Sequence, residues 1–358
     1  MIHLKTYIAL DHLDRMTDST GLIQHAIYSV PRRESGYTLD DNARALRLCT
    51  RLWNQHHDAR LLDRITHYLS FVEFARRPGG GFHNLLSYQR HWLDTDPTGD
   101  CQGQAVRALA EVVGGNLPDD YRALARELLE GVIPALAELQ SLRVHAYVIL
   151  AWGHLWKREV RNLEPLENLA WLGAQRLVEC FQRSQRPEWQ WFEFCMTYAN
   201  AVLPHALFVA SESWPSDVFR DVAEQSFTFL DRQTTVDGFF WPVGNCGWCP
   251  HGEEKAPYDQ QPVEAVTMAD AALSAFGATR KQPYLDVFRR CHAWFHGQNS
   301  LGQSLVNPRW GACGDGLQPT RVNRNQGAES TLAYLWTEVL YSEARQLFGD
   351  NQESAVAG

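Results

Sequence analysis

Apolar residues recur three and four positions apart in twelve stretches of this chain, the spacing of helices with a buried face. One series is long, charged and amphipathic: residues 3–16, 60–77, 119–139, 164–184, 215–233 and 283–297. Stretches such as ARLLDRITHYLSFVEFARR and DVFRDVAEQSFTFLDRQ keep one solvated face, as outer helices do. The other series is richer in Ala and small residues: 40–55, 101–114, 142–156, 198–212, 262–277 and 327–347. HAYVILAWGHLW and VEAVTMADAALSAFGA are apolar nearly all round, which suits inner helices. The two series alternate with a repeat of roughly 55 to 60 residues, in the manner of a closed repeat array. The pattern predicts an all-α (α/α)6 toroid of six outer–inner hairpins, one domain over residues 1–350, with 351–358 a disordered tail.

The connections are unequal. Outer-to-inner segments are long, at 17–39, 78–100, 185–197, 234–261 and 298–326, whereas inner-to-outer segments are mostly short. Loops longer than about 12 residues in a compact domain are usually functional. All of these precede inner helices, so the active-site mouth is expected around the inner N-termini. In the third hairpin only a couple of residues part AELQ from SLRVHAYV, so the floor of the mouth should be lowest there.

The entries to the inner helices read YTLDDNARAL, TGDCQGQAVRAL, WQWFEFCMTYANAVLPHAL, KAPYDQQPVEAVTMADAAL and VNRNQGAESTLAYL. Each brings carboxylates or amides: Asp40 and Asp41; Asp100 and Gln104; Glu193 and Asn200; Gln260, Gln261 and Glu264; Asn323, Asn325 and Glu329, with Asp315 close before. Aromatics stand nearby, among them Tyr37, Trp92, Trp191, Tyr198, Trp248 and Tyr258. Polar groups take sugar hydroxyls and aromatic faces take apolar C–H patches, so this set suits a carbohydrate. Helix capping is the competing explanation, and Asp40 and Asp100 are read as N-caps that also border the substrate.

Composition narrows the partners. A net charge of −9 without a basic run excludes nucleic acid and anionic membranes. No stretch of about 18 apolar residues occurs, and MIHLKTYIALDHLDR carries Asp and His where a signal peptide keeps an apolar block, so a cytoplasmic protein is expected. The 8 Cys lie mostly in apolar helical surroundings and read as buried thiols. Cys246-Gly-Trp-Cys249 has zinc-type spacing but no second pair follows, so neither a metal nor another cofactor is expected.

Glycoside cleavage needs one protonated carboxyl and one ionised partner. Glu193, set in the aromatic run Trp189 to Phe194, would be desolvated and suit the acid. Asp41, Glu264 and Glu329, near helix N-termini, would suit the base.

Several blocks resemble those of known proteins: MTDSTGLIQHAIYSVP (16–31), GYTLDDNARAL (36–46), TYANAVLP (197–204), YDQQPVEA (258–265) and NQGAESTLAYL (325–335). With the helix pattern, they resemble the six-hairpin glycosidase superfamily, and more narrowly a bacterial family found beside glycosyltransferase group 1 domains. The resemblance implies carbohydrate chemistry at an acidic mouth and a functional association with a glycosyltransferase; it supplies no catalytic pair. Ala199 stands where the similar blocks commonly have Asp, and no Gly-rich phosphate loop supports a transferase here. The expected function is a glycoside hydrolase acting on an oligosaccharide. The alternatives are a phosphorylase, a sugar epimerase or isomerase using His145, His154 or His205, and a non-catalytic glycan-binding module.

Overall fold

Helix-forming runs and their stop signals divide the chain into α1 (Asp11–Met16), α2 (Leu39–His56), α3 (Ala59–Phe74), α4 (Gly99–Val113), α5 (Asp119–Ala137), α6 (Leu142–Lys157), α7 (Glu164–Ser184), α8 (Val202–Ser213), α9 (Asp217–Thr234), α10 (Pro262–Thr279), α11 (Pro283–Phe295) and α12 (Ala328–Phe348). The starts have local causes. The side chains of Thr38, Asp58 and Ser216 accept backbone N–H groups at the heads of α2, α3 and α9. Proline stands in the first turn of α7, α10 and α11, where its missing N–H leaves no bond unmade. This computed structural model describes residues 8–95 and 99–348. The expected helix at 3–16 is seen as Asp11–Met16, and the expected tail at 351–358 lies outside the described residues.

Helices α2, α4, α6, α8, α10 and α12 each pack on the next, and α12 returns to α2. The ring is closed. Two close approaches require glycine: a Cβ on Gly103 of α4 would overlap Tyr147 of α6, and one on Gly153 of α6 would overlap Val209 of α8. Outside the ring, α3 lies on α2, α5 on α4, α7 on α6, α9 on α8 and α11 on α10, with α1 against α12. An outer helix therefore packs more on the inner helix before it than on the one after it, one helix out of step with the expected hairpins. Short connections hold antiparallel neighbours together, and the long segments step across to the next inner helix.

Those long segments are tied to one another above the inner N-termini. Tyr37–Thr38 pairs antiparallel with Leu85–Leu86, Cys195–Met196 with Cys249–Pro250, and Gln260 bridges to Leu317. The backbone N–H groups of Gln326 and Ala328 reach the carbonyls of Tyr28 and Gln24, joining the last segment to the first. Between α5 and α6 only residues 138–141 intervene, so the wall is lowest there. No helix among the described residues is long and apolar enough to cross a membrane.

Candidate active site

The head of α2 differs from the expectation in one respect. Thr38, not Asp40, is the N-cap: its hydroxyl accepts the Asp41 N–H (3.0 Å) and donates to Asp41 Oδ2 (2.7 Å). Asp41, at the third helical position, is thereby turned inward and buried, and the more open member of the pair is Asp40. Burial pushes the Asp41 carboxyl up to about 8, and Asp40 and Glu329 push the same way.

The folded chain thus keeps a proton on Asp41 that an unfolded aspartate releases near 3.8, so native stability falls as pH rises from about 4 to about 8. Asp41→Asn keeps the shape and the Thr38 partner without the charge. We expect it to raise unfolding free energy at pH 8 by about 1–3 kcal/mol, with little change near pH 4, in melts at the two pH values.

Asp40 faces the mouth. Arg44, one turn further along α2, reaches Asp40 Oδ2 (3.0 Å) and, with the same Nη2, Glu329 Oε1 of α12 (3.1 Å). Glu329 keeps 37% of its side chain open, yet its setting in the concavity pushes its carboxyl up; Arg44 opposes this, and Asp40 and Asp315 add to it. Asp100, at the head of α4 and within the first turn, accepts the Ser141 hydroxyl (3.2 Å); burial pushes it up against the pull of Arg143. Asp40 and Glu329 therefore share one guanidinium, with Asp100 at the head of the neighbouring inner helix.

Below them charged side chains cross the lumen, leaving a small cavity between Arg44, Gln104, Tyr147 and Asp270. Arg47 and Arg107 both lie 3.4 Å from Asp270, Arg47 stacks on Trp336 at 3.6 Å, and Arg51 joins Glu111 (3.4 Å) to Glu343 (2.7 Å).

Glu264 and Glu193 build the opposite wall. Glu264 is buried and its carboxylate accepts the N–H of Ala199, the N–H of Asn200 (3.3 Å) and the Asn200 amide (3.1 Å). It holds a turn in which Ala199 adopts φ 46°, a conformation that needs such support. Burial pushes Glu264 up to about 7, against those hydrogen bonds. Glu193 is not desolvated among aromatic rings as expected, because Trp189 and Trp191 turn into the core and leave it 31% open against Arg143 (3.2 Å). Arg143 also donates to the Tyr198 carbonyl (2.7 Å) and the Thr197 hydroxyl (2.9 Å) beneath the Tyr198 ring.

The remaining expected contacts divide by exposure. Trp191 is fully buried and offers no face to a ligand, and Tyr37 is buried with its hydroxyl on Asp18 (2.8 Å). Gln260 is likewise internal, donating to Ser300 and accepting from Trp294. Trp92 lies stacked on His83 and against Phe74, part of the packing over α3. Tyr198, Trp248, Tyr258 and Gln261 remain half-buried beside Glu193 and the head of α10. Asp315 accepts from Asn325 (3.0 Å) and Ser330 (2.5 Å), and Asn323 accepts the Asn325 N–H (3.1 Å), so this trio shapes the loop before Glu329.

The arginines were not among the expected site residues. Arg143 had a signal, since a cation in the first turn of a helix opposes the dipole and needs another reason to be there. Arg44, Arg47 and Arg51 had another: a charged stripe at helical spacing on an inner helix. None of the three candidate histidines reaches the mouth. His145 packs over Gly173 of α7, His154 lies 3.5 Å from Glu111, and His205 is bonded to Ser274 (2.8 Å) and pushed down to about 3 by burial.

No protein-family model and no curated protein matches the sequence. Solved structures share its fold. A cellobiose 2-epimerase from Bacillus thermoamylovorans aligns with a TM-score of 0.72 at 12% identity, covering 95% of this chain and 96% of that one. The fold is an (α/α)6 toroid. A GH76 α-mannanase from Bacteroides thetaiotaomicron (TM-score 0.65, 9% identity, 94% of both chains) shares the toroid. So does a cellulase of C. cellulolyticum in complex with cellobiose (TM-score 0.60, 13% identity, 95% of this chain and 90% of that one).

Proposed function

We propose that this toroid is a carbohydrate-active enzyme, a glycoside hydrolase acting on an oligosaccharide at the mouth. The observation that carries the reading is the Asp40–Arg44–Glu329 bridge: two partly open carboxyls from the heads of two inner helices, held by one guanidinium nitrogen. Glu329, whose carboxyl is pushed up by its setting in the concavity, protonates the leaving oxygen, and Asp40, bridged to it through Arg44, is the second carboxyl of the pair. Oxygens 3.0 and 3.1 Å from one nitrogen can be at most about 6 Å apart. Asp40 then serves as base or nucleophile on the opposite face of the sugar, and the anomeric configuration of the first-formed product distinguishes the two. Asp100 and the half-buried Tyr198 and Trp248 border the sugar. Asp41 and Glu264 act from behind the surface by holding the head of α2 and the turn before α8. That the epimerase and the two hydrolases share the fold supports a sugar as substrate and leaves the reaction to be decided by the site.

The histidine-based alternative is disfavoured by placement, and by His205 being too weak a base near neutral pH. Chromatography of an oligosaccharide panel after incubation tests the reading. Shorter saccharides are expected; an isomer of unchanged mass would replace it with epimerisation.

A further inference from the structure

On the outward face of α12, away from the mouth, two imidazoles converge on one carboxylate oxygen. His292 Nε2 lies 2.9 Å and His296 Nε2 3.0 Å from Glu338 Oε1, and the three ligand atoms all fall within 4.8 Å of one another. The spacing His292-x-x-x-His296 sets both rings on one side of the end of α11, one turn apart. His292 is held by stacking on Tyr341, with ring centroids 3.9 Å apart and planes 7° from parallel. His296 stands at the C-terminal end of α11, where the helix dipole favours a cation.

A hydrogen-bonded trio alone would not need both rings on the same oxygen, since Glu338 Oε2 is equally able to accept. What a metal ion requires is three ligand atoms close enough to share it, and the two imidazole nitrogens and the carboxylate oxygen meet that requirement. In a tetrahedral zinc site with bonds of about 2.0–2.1 Å, ligand atoms stand about 3.3 Å apart, so the His–Glu distances need open by only a few tenths of an ångström. The side chains of His292 and Glu338 are mostly covered (16% and 19% open) while His296 is 35% open, leaving one side for entry and a fourth ligand from water. Two imidazoles and one carboxylate form a donor set suited to zinc and neighbouring divalent transition metals, and poorly suited to calcium or magnesium.

We infer that His292, His296 and Glu338 form a divalent transition-metal site, with zinc the natural occupant, that pins the end of α11 to α12. Glu338 lies nine residues beyond Glu329, on the order of 13 Å along the helix axis, so this site is separate from the mouth.

The test uses the full chain, stripped with a chelator and titrated with Zn2+ by calorimetry, then with Co2+ followed by visible absorption. One equivalent of Zn2+ per chain is expected, with a rise in melting temperature and a cobalt spectrum of nitrogen and oxygen ligands free of thiolate charge transfer, which sets the site apart from the exposed Cys246. His296→Ala and Glu338→Gln should each weaken binding at least tenfold and abolish the thermal shift; far-UV circular dichroism checks that they fold, and the half-open His296 makes the first the safer variant. Binding well below one equivalent, or equal affinity in folded His296→Ala, would overturn the assignment.

Discussion

Replacing Asp270 by alanine is expected to cost about 3 kcal/mol of stability, because it leaves two guanidinium groups in the lumen without their shared counter-charge. Arg47 and Arg107 come from α2 and α4 and both reach the same carboxylate oxygen of α10, so this one group ties three inner helices together across the ring. Burial alone would push the Asp270 carboxyl up, but the surrounding positive charge holds it well below the usual carboxylate range. A carboxylate with depressed proton affinity contributes stability above its unfolded value, near 3.8, and loses it as pH falls further. The Asp270→Ala variant should therefore lose most against the parent near neutral pH, and the gap should narrow in strong acid. Denaturant melts across pH measure both. Adding Arg107→Met should recover part of the loss, since the second change removes one stranded charge.

Glu329→Gln should lower kcat on the true substrate by about 10²–10⁴-fold while leaving the fold intact, the size expected for removing a general acid. The amide still fits beside Arg44 but carries no transferable proton. Because the side chain is partly open, a large loss of stability would point to a structural part in the ring rather than to chemistry. Asp41→Asn is the matched control. It lies within the neighbouring first turn of α2, is buried, and should retain most activity if its part is to hold the helix head. Steady-state kinetics for both variants beside their melting curves separate the two roles.

Much of the fold was legible because helical periodicity is strong when one face is charged and the other meets a ring of neighbours. Eleven of the twelve expected segments overlap their helices nearly end to end, and the first is seen at its C-terminal part. Entry points were harder. In YTLDDNARAL the eye goes to the two carboxylates, but the start of α2 lies at Thr38, and the pattern Thr38-x-x-Asp41 already has the form of a capping box. Placing the cap two residues late reversed the inward and outward members of the pair. The Asp40–Arg44 spacing of four was equally visible as a helical ion pair. What no local pattern contains is that Glu329, 285 residues away from Arg44, meets the same nitrogen. Aromatic and amide side chains misled for a related reason: Trp191, Tyr37 and Gln260 sit in loops rich in polar residues, yet each fills the space beneath those loops, where a buried N–H or O–H can find a partner only after the loops have paired. For Trp191 even that partner is missing, since its indole N–H has none among the described residues.

We propose that a carboxyl pair at the mouth cleaves a glycosidic bond with water. It is tested most directly by incubating the protein with an oligosaccharide panel in heavy-oxygen water and resolving the products by mass, beside Glu329→Gln. Shortened saccharides carrying one solvent oxygen at the new reducing end are expected from the parent and should be nearly absent with the variant. Products of unchanged mass, or equal cleavage by the folded Glu329→Gln protein, would contradict it.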